Sequence, residues 1–298
     1  MLSKESIETL YLLFPFLVVV FATSIAWYKD LFQKRFILQP IHISLSETIT
    51  PFILYLSLGT LVTTSFFLFD NHFKFTHFFS SKESSQVDLK PWINFFSFII
   101  VALLLLLYCH FQNRRILQAF FGTRIRIKKN RHFFQKISYG IYYCLITLPF
   151  ILLIGNCVNF CLLFLFNPID NSEQIAVQHL KSTLSHYPLF ICTCLLLTIF
   201  VPFIEEILFR GYLQHYLSQY FHTKYTIFLS SMTFTLFHFS PSQGLTNVPL
   251  LSSLFCLSCF LSLVYKRSGS LWSPIALHSF FNLFSIINIF INHYISIH

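Results

Sequence analysis

The chain has 298 residues, of which 55% are hydrophobic and only 10% charged, whereas about 25% are charged in an ordinary soluble domain. With a mean hydropathy of +0.66, this excludes a soluble globular domain and predicts an all-α, polytopic membrane protein. The net charge of +9 invites a nucleic-acid reading, but the lysines and arginines cluster beside apolar runs, where they orient helices in a bilayer. Membrane lipids, and no nucleic acid, are the expected contacts of that charge.

The first apolar run, residues 8–28, is long enough to cross a hydrocarbon core of about 30 Å. Its lysine is offset by Glu5 and Glu8, so it reads as a retained helix and not a cleaved signal. Further spans are predicted at residues 48–69, 91–111 and 139–166, the last long enough to tilt or to break around Gly155. A fifth begins near Pro188 and runs through Phe200 into the stretch P-F-I-E-E-I-L-F-R-G-Y-L-Q-H, residues 202–215. Three more follow at 226–239, 248–265 and 271–291, giving about eight spans. The loop 167–186 alternates polar and apolar residues and predicts a short surface helix.

Between the third and fourth spans lie Arg114, Arg115, Arg124, Arg126, Lys128, Lys129, Arg131 and Lys136, with no acid among them. This predicts a cytoplasmic loop. Counting alternately, Lys29, Lys34, Arg35, Lys224, Lys266 and Arg267 share that side and both termini lie outside. Glycine is scarce, 7 residues against 40 phenylalanines, so small contacts between helices fall mostly to Ser, Thr and Cys instead of GxxxG motifs. The eight cysteines sit in or beside apolar segments, which argues against a disulfide framework or a zinc ribbon. Cys256 and Cys259, though spaced CxxC, read as small packing residues.

Charges inside an apolar span are expensive and therefore mark function. Within a helix Glu206 and Arg210 are four apart and share a face, forming a compensated pair, while Glu205 is rotated by about 100°. Glu205 is thereby free to polarise a water. A purely structural ion-pair reading of these three residues is the alternative. Gly211 admits a close neighbour. His238 lies four residues after Phe234, and His278 and Asn282 are also four apart, so that each pair shares a face. An imidazole beside a carboxamide offers two donors suited to an oxyanion. By helix rise, Glu205 lies about 24 Å down from Leu189, His238 about 18 Å from Thr226 and His278 about 10 Å from Leu271, depths compatible with convergence. His215 reads as interfacial, and His110, His132 and His222 as solvated.

The ordered set Glu205-Glu206-x-x-x-Arg210, Phe234-x-x-x-His238 and His278-x-x-x-Asn282, with L-F-R-G-Y-L around Arg210 and G-S-L-W-S-P before His278, resembles the CPBP family of intramembrane proteases. That family includes the CAAX prenyl endopeptidases and the bacteriocin-processing relatives. The resemblance covers residues 188–291, and residues 1–187 form an N-terminal transmembrane region without a recognised motif. It implies that Glu205 activates water with His238, that His278 and Asn282 stabilise the oxyanion, and that Glu206 and Arg210 hold the helix geometry. The family has been described as both metalloprotease and glutamate-type. The preferred reading needs no cofactor; a divalent metal such as zinc would take Glu205, His238 and His278.

The implied substrate is a membrane-bound or lipidated peptide, with the prenylated CAAX type as one case. The implied location is a multi-pass membrane protein, in the plasma membrane of a bacterium or the ER of a eukaryote, with its site towards the cytoplasmic half. Two other classes are compatible with the same residues: a non-catalytic scaffold or immunity-type protein of the same fold, and an ion-coupled transporter. The transporter lacks matching polar residues in its first half.

Overall fold

The computed structural model describes residues 24, 41–73, 90–111, 114–122, 129–166, 175–184 and 187–297. Apart from Ser24, the first predicted span lies outside these. The described residues contain helices and no strand, in the order α1 (Leu45–Phe73), α2 (Lys90–Phe111), α3 (Arg114–Phe120), α4 (Lys129–Phe166), α5 (Ile175–Thr183), α6 (Tyr187–Leu217), α7 (Thr223–Leu236), α8 (Asn247–Ser268) and α9 (Trp272–Ile297). The all-α polytopic class therefore stands.

Of the eight expected spans, seven fall on described helices. Five described helices are long and apolar enough to cross a membrane, on α1, α4, α6, α8 and α9, and α2 contributes a shorter apolar stretch, Phe95–Phe111. The predicted span 226–239 is realised as α7, whose 14 residues extend only about 21 Å. A turn follows it, then a short 3-10 segment, Pro241–Thr246, that leads into α8. α4 runs unbroken past Gly155; a Cβ there would lie 2.4 Å from Ser253 Oγ on α8, so this glycine marks close contact in place of the anticipated break. Gly140 does the same against α9, where an added Cβ would stand 2.1 Å from the Ser273 carbonyl oxygen. The short helix anticipated in the loop before α6 is α5.

Local chemistry fixes several helix ends. Before α1, Ser44 Oγ accepts from the Glu47 backbone N–H at 3.2 Å while Glu47 Oε2 accepts from the Ser44 N–H at 2.8 Å, a reciprocal capping box. α8 stops at Gly269, whose φ of 64° is the left-handed value that ends helices and that glycine adopts without strain.

Polar ties gather one set of ends on a single face. Gln219 Nε2 donates to the Ile43 carbonyl at 2.8 Å and the Leu271 N–H to the Phe120 carbonyl at 2.9 Å. Lys266 Nζ reaches Thr223 Oγ1 at 2.9 Å, and Lys136 donates to the Ser268 carbonyl. The segments before α1, after α3, between α6 and α7, and between α8 and α9 therefore lie together, as alternate crossing requires.

Apolar packing then sets α6 in place. Ala102 and Leu105 of α2 bury against Ile204, Leu208 and Phe209 of α6 and Phe234 of α7. On the other side Tyr143, Cys144 and Ile151 of α4 pack with Leu257, Leu261 and Val264 of α8 and Leu277 of α9. The outward positions, Leu103, Leu107, Leu145, Ile199 and Phe228 among them, are large and exposed, which suits a lipid solvent and would be unfavourable in water. All eight cysteines are free.

Candidate active site

α6 is not a uniform helix. Residues Leu196–Phe200 and Ile207–Leu213 are wound as π-helix, and the six α-helical residues between them, Val201–Glu206, carry both glutamates. The Val201 N–H bonds the Leu196 carbonyl and the Gln214 N–H the Phe209 carbonyl, each five residues back. Such wide turns are rare and recur at functional sites. Pro202 contributes to the first one, because it has no N–H to continue the ladder.

The two glutamates have different surroundings. Glu206 is fully buried, and its Oε1 accepts from Arg210 Nη1 at 3.1 Å. The same oxygen lies 2.9 Å from His278 Nδ1. Arg210, also buried, donates through Nη2 to Ser258 Oγ at 2.8 Å and stands 4.5 Å above the Phe234 ring, a cation–π arrangement. The helical-phase argument thus places Glu206 correctly on Arg210. It misses the link to His278, because no spacing in the sequence connects residues 72 apart.

Glu205 faces the two imidazoles. Its Oε1 lies 3.9 Å from His238 Nε2 and its Oε2 lies 3.8 Å from His278 Nε2. The Glu205 side chain is 12% exposed and that of His238 31% exposed, so the group opens on the His238 side. Gaps of this length exceed a direct hydrogen bond and suit a shared water or substrate atom.

The tautomers follow from the other ring nitrogens. His278 Nδ1 faces a carboxylate and His238 Nδ1 lies 2.9 Å from the Phe234 carbonyl; both partners only accept, so Nδ1 carries the hydrogen in each ring. In the neutral rings both Nε2 atoms therefore present lone pairs towards Glu205. Phe234 sits among these groups, its ring 4.7 Å from His238 and 6.0 Å from His278, and it is completely buried. The sequence identifies it as a neighbour of His238 but not as a platform for Arg210 and His278 as well.

Asn282 is one turn beyond His278 on α9, and its Nδ2 donates to the Leu197 carbonyl of α6 at 2.9 Å. His215, expected at the interface, is instead fully buried. Its Nδ1 is 2.8 Å from the Gly211 carbonyl and its ring packs on Phe120 and Tyr265. His110 and His222 are exposed, as expected of solvated residues, and the side chain of His132 lies outside those described. A Cβ on Gly211 would meet the Phe120 ring at 2.8 Å, so the close neighbour anticipated there is α3.

For a metal, the fit is poor. The two histidines approach different oxygens of Glu205, and among the described residues no group of three His, Cys, Asp or Glu is arranged to hold an ion. No step below is routed through one. A cavity of about 480 Å³ between α1 and α2 is lined by Tyr55, Thr60, Thr64, Ser97 and Phe98, and Tyr55 packs against the cluster that holds Ile204 and Leu208 of α6.

Comparison with curated proteins and with solved structures gives no match to either. Residues 187–284 match the family model described as type II CAAX prenyl endopeptidase, Rce1-like. That stretch opens on the first residue of α6 and contains Glu205, Glu206, Arg210, His238, His278 and Asn282. Over these residues the chain is similar to the Rce1-like CAAX prenyl endopeptidases, in agreement with the CPBP resemblance of the motifs.

Proposed function

We propose that the chain is an intramembrane endopeptidase in which Glu205 activates water for attack on a peptide bond of a membrane-associated substrate. The observation that carries this reading is the placement of one partly exposed carboxylate between the Nε2 atoms of two imidazoles, each ring fixed by an Nδ1 bond on its far side. Glu205 and the Nε2 lone pair of His238 hold a water by its two hydrogens and direct its oxygen outwards, as general-base catalysis requires.

In the proposed reaction a water proton passes to Glu205 while the water oxygen bonds to the carbonyl carbon. The carbonyl oxygen becomes an oxyanion, to which His278, in its protonated form, donates Nε2–H. The proton held by Glu205 then passes to the leaving nitrogen as the C–N bond breaks. His238 orients the water. Glu206 holds His278 by Nδ1, the role that carboxylates play behind catalytic histidines elsewhere, and Arg210 keeps Glu206 in place.

The substrate class follows from the setting. The site lies on a membrane-spanning helix, so a scissile bond reaches it on a chain anchored in the same bilayer. A prenylated C-terminal segment meets that need, and the cavity beside Tyr55 would receive part of it. Lys136 and Lys266 share a face with the start of α9, which supports opening towards the cytoplasmic half.

The test is cleavage of an internally quenched, farnesylated peptide by the purified chain in detergent. Glu205→Gln, His238→Ala and His278→Ala should each abolish cleavage while leaving a folded protein. Wild-type rates in all three would refute the mechanism.

A further inference from the structure

We infer that Asn282 is a positioning residue that supplies the hydrogen-bond donor Pro202 lacks, and so locks the break in α6 to the helix bearing His278. In the first π-wound segment the Val201 N–H bonds the Leu196 carbonyl, five residues back. The next bond in that series would run from residue 202 to the Leu197 carbonyl. Residue 202 is proline, buried and without an N–H. The Leu197 carbonyl instead receives Asn282 Nδ2 at 2.9 Å, from α9.

An unserved carbonyl inside a bilayer is costly, since no water competes to satisfy it. One amide from a neighbouring helix removes that cost, and it does so at a defined point of each helix. α9 is thereby tied to α6 twice, by His278 to Glu206 at 2.9 Å and by Asn282 to Leu197 at 2.9 Å. Two ties fix both the height and the rotation of α9 against the turn that carries Glu205, where one would leave α9 free to pivot. The 3.8 Å gap between His278 Nε2 and Glu205 is set in this way. The resemblance assigns Asn282 to the oxyanion; the geometry assigns its bonded N–H to the backbone.

The kinetic part of the test rests on the peptidase reading, and the thermal part does not. Asn282→Ala, Pro202→Ala and the double variant are prepared as full-length chains in detergent. Asn282→Ala alone should lower the unfolding midpoint by about 2–4 °C, the size expected for one buried hydrogen bond in a chain of this length. It should also lower kcat about tenfold with KM unchanged. In the Pro202→Ala background residue 202 has its own N–H, and removing Asn282 should cost much less on both measures.

Equal losses in the two backgrounds would overturn the inference. So would thermal rescue without kinetic rescue, which would place Asn282 at the reacting atoms. Asn282→Asp gives a second reading should Pro202→Ala fail to fold: it keeps the shape but replaces the donor with an acceptor, and wild-type stability in that variant would overturn the inference. Because the thermal comparison needs no cleavage, failure of the peptidase reading leaves its outcome intact.

Discussion

Adjacent glutamates should respond in opposite ways to the same substitution. Glu206 and Arg210 are both fully buried and 3.1 Å apart, and removing one member of a buried pair leaves the other charge uncompensated, at about 3–5 kcal/mol. Arg210 keeps its bond to Ser258 Oγ at 2.8 Å, which puts Glu206→Gln near the lower end, about 3 kcal/mol. At about 2–4 °C per kcal/mol for a chain of this size, the unfolding midpoint should fall by about 6–12 °C. Among the described residues Glu205 has only the two imidazoles within ion-pair distance, and its Oε2 is buried without a hydrogen-bond partner. Neutralising it removes a poorly solvated charge, so Glu205→Gln should hold or raise the midpoint while lowering cleavage by about 10²–10⁴. Thermal unfolding in detergent, followed alongside peptide cleavage, measures both effects. The reasoning fails if Glu205→Gln unfolds as readily as Glu206→Gln, or if it cleaves at the wild-type rate.

The remaining predictions concern the surroundings. Ser258→Ala withdraws an acceptor from the buried Arg210 and should cost about 1–3 kcal/mol of stability by thermal unfolding. Gly140→Ala drives a Cβ to 2.1 Å from the Ser273 carbonyl and should cost about 1–3 kcal/mol through separation of α4 from α9; Gly59→Ala, whose Cβ meets nothing within 4 Å, should instead be neutral or slightly stabilising. Treatment with a strong chelator followed by elemental analysis should leave cleavage unchanged, and stoichiometric zinc whose loss removes activity would refute the metal-free reading.

How much was legible in the sequence follows from the range over which helical periodicity holds. Glu206 with Arg210, and Phe234 with His238, lie within one turn, and their spacing alone places each pair on one face; the structure agrees, at 3.1 Å and at 4.7 Å between rings. Longer counts fail because α6 is wound as π-helix on both sides of the glutamates. A wide turn accommodates an additional residue, so an ideal wheel begun at Pro188 misplaces Glu205 by about 100°. Neither the Glu206–His278 bond nor the Asn282–Leu197 bond has a local signature, since each joins residues brought together only by the packing of α9 on α6. Pro202 was the one available clue: a proline within an apolar span announces a carbonyl that some other group must serve. His215 reads as interfacial from its place near the end of the apolar span, but Phe120 of α3 covers it, a contact without a local signature.

The use of one oxygen of Glu206 for two partners explains why the charged residues tolerate their setting. Oε1 takes both Arg210 and His278, while Oε2 is buried with no hydrogen-bond partner. A buried acceptor left unmade costs about 1–3 kcal/mol, and a structure built for stability alone would spread its donors over both oxygens. Concentrating them on Oε1 couples the guanidinium to the imidazole through a single atom, so any shift of Arg210 moves His278. Phe234 packs against Arg210, His238 and His278 together. The unfavourable oxygen and the two wide turns of α6 thus fall on the same short stretch, where local stability is lost in exchange for fixed positions around Glu205.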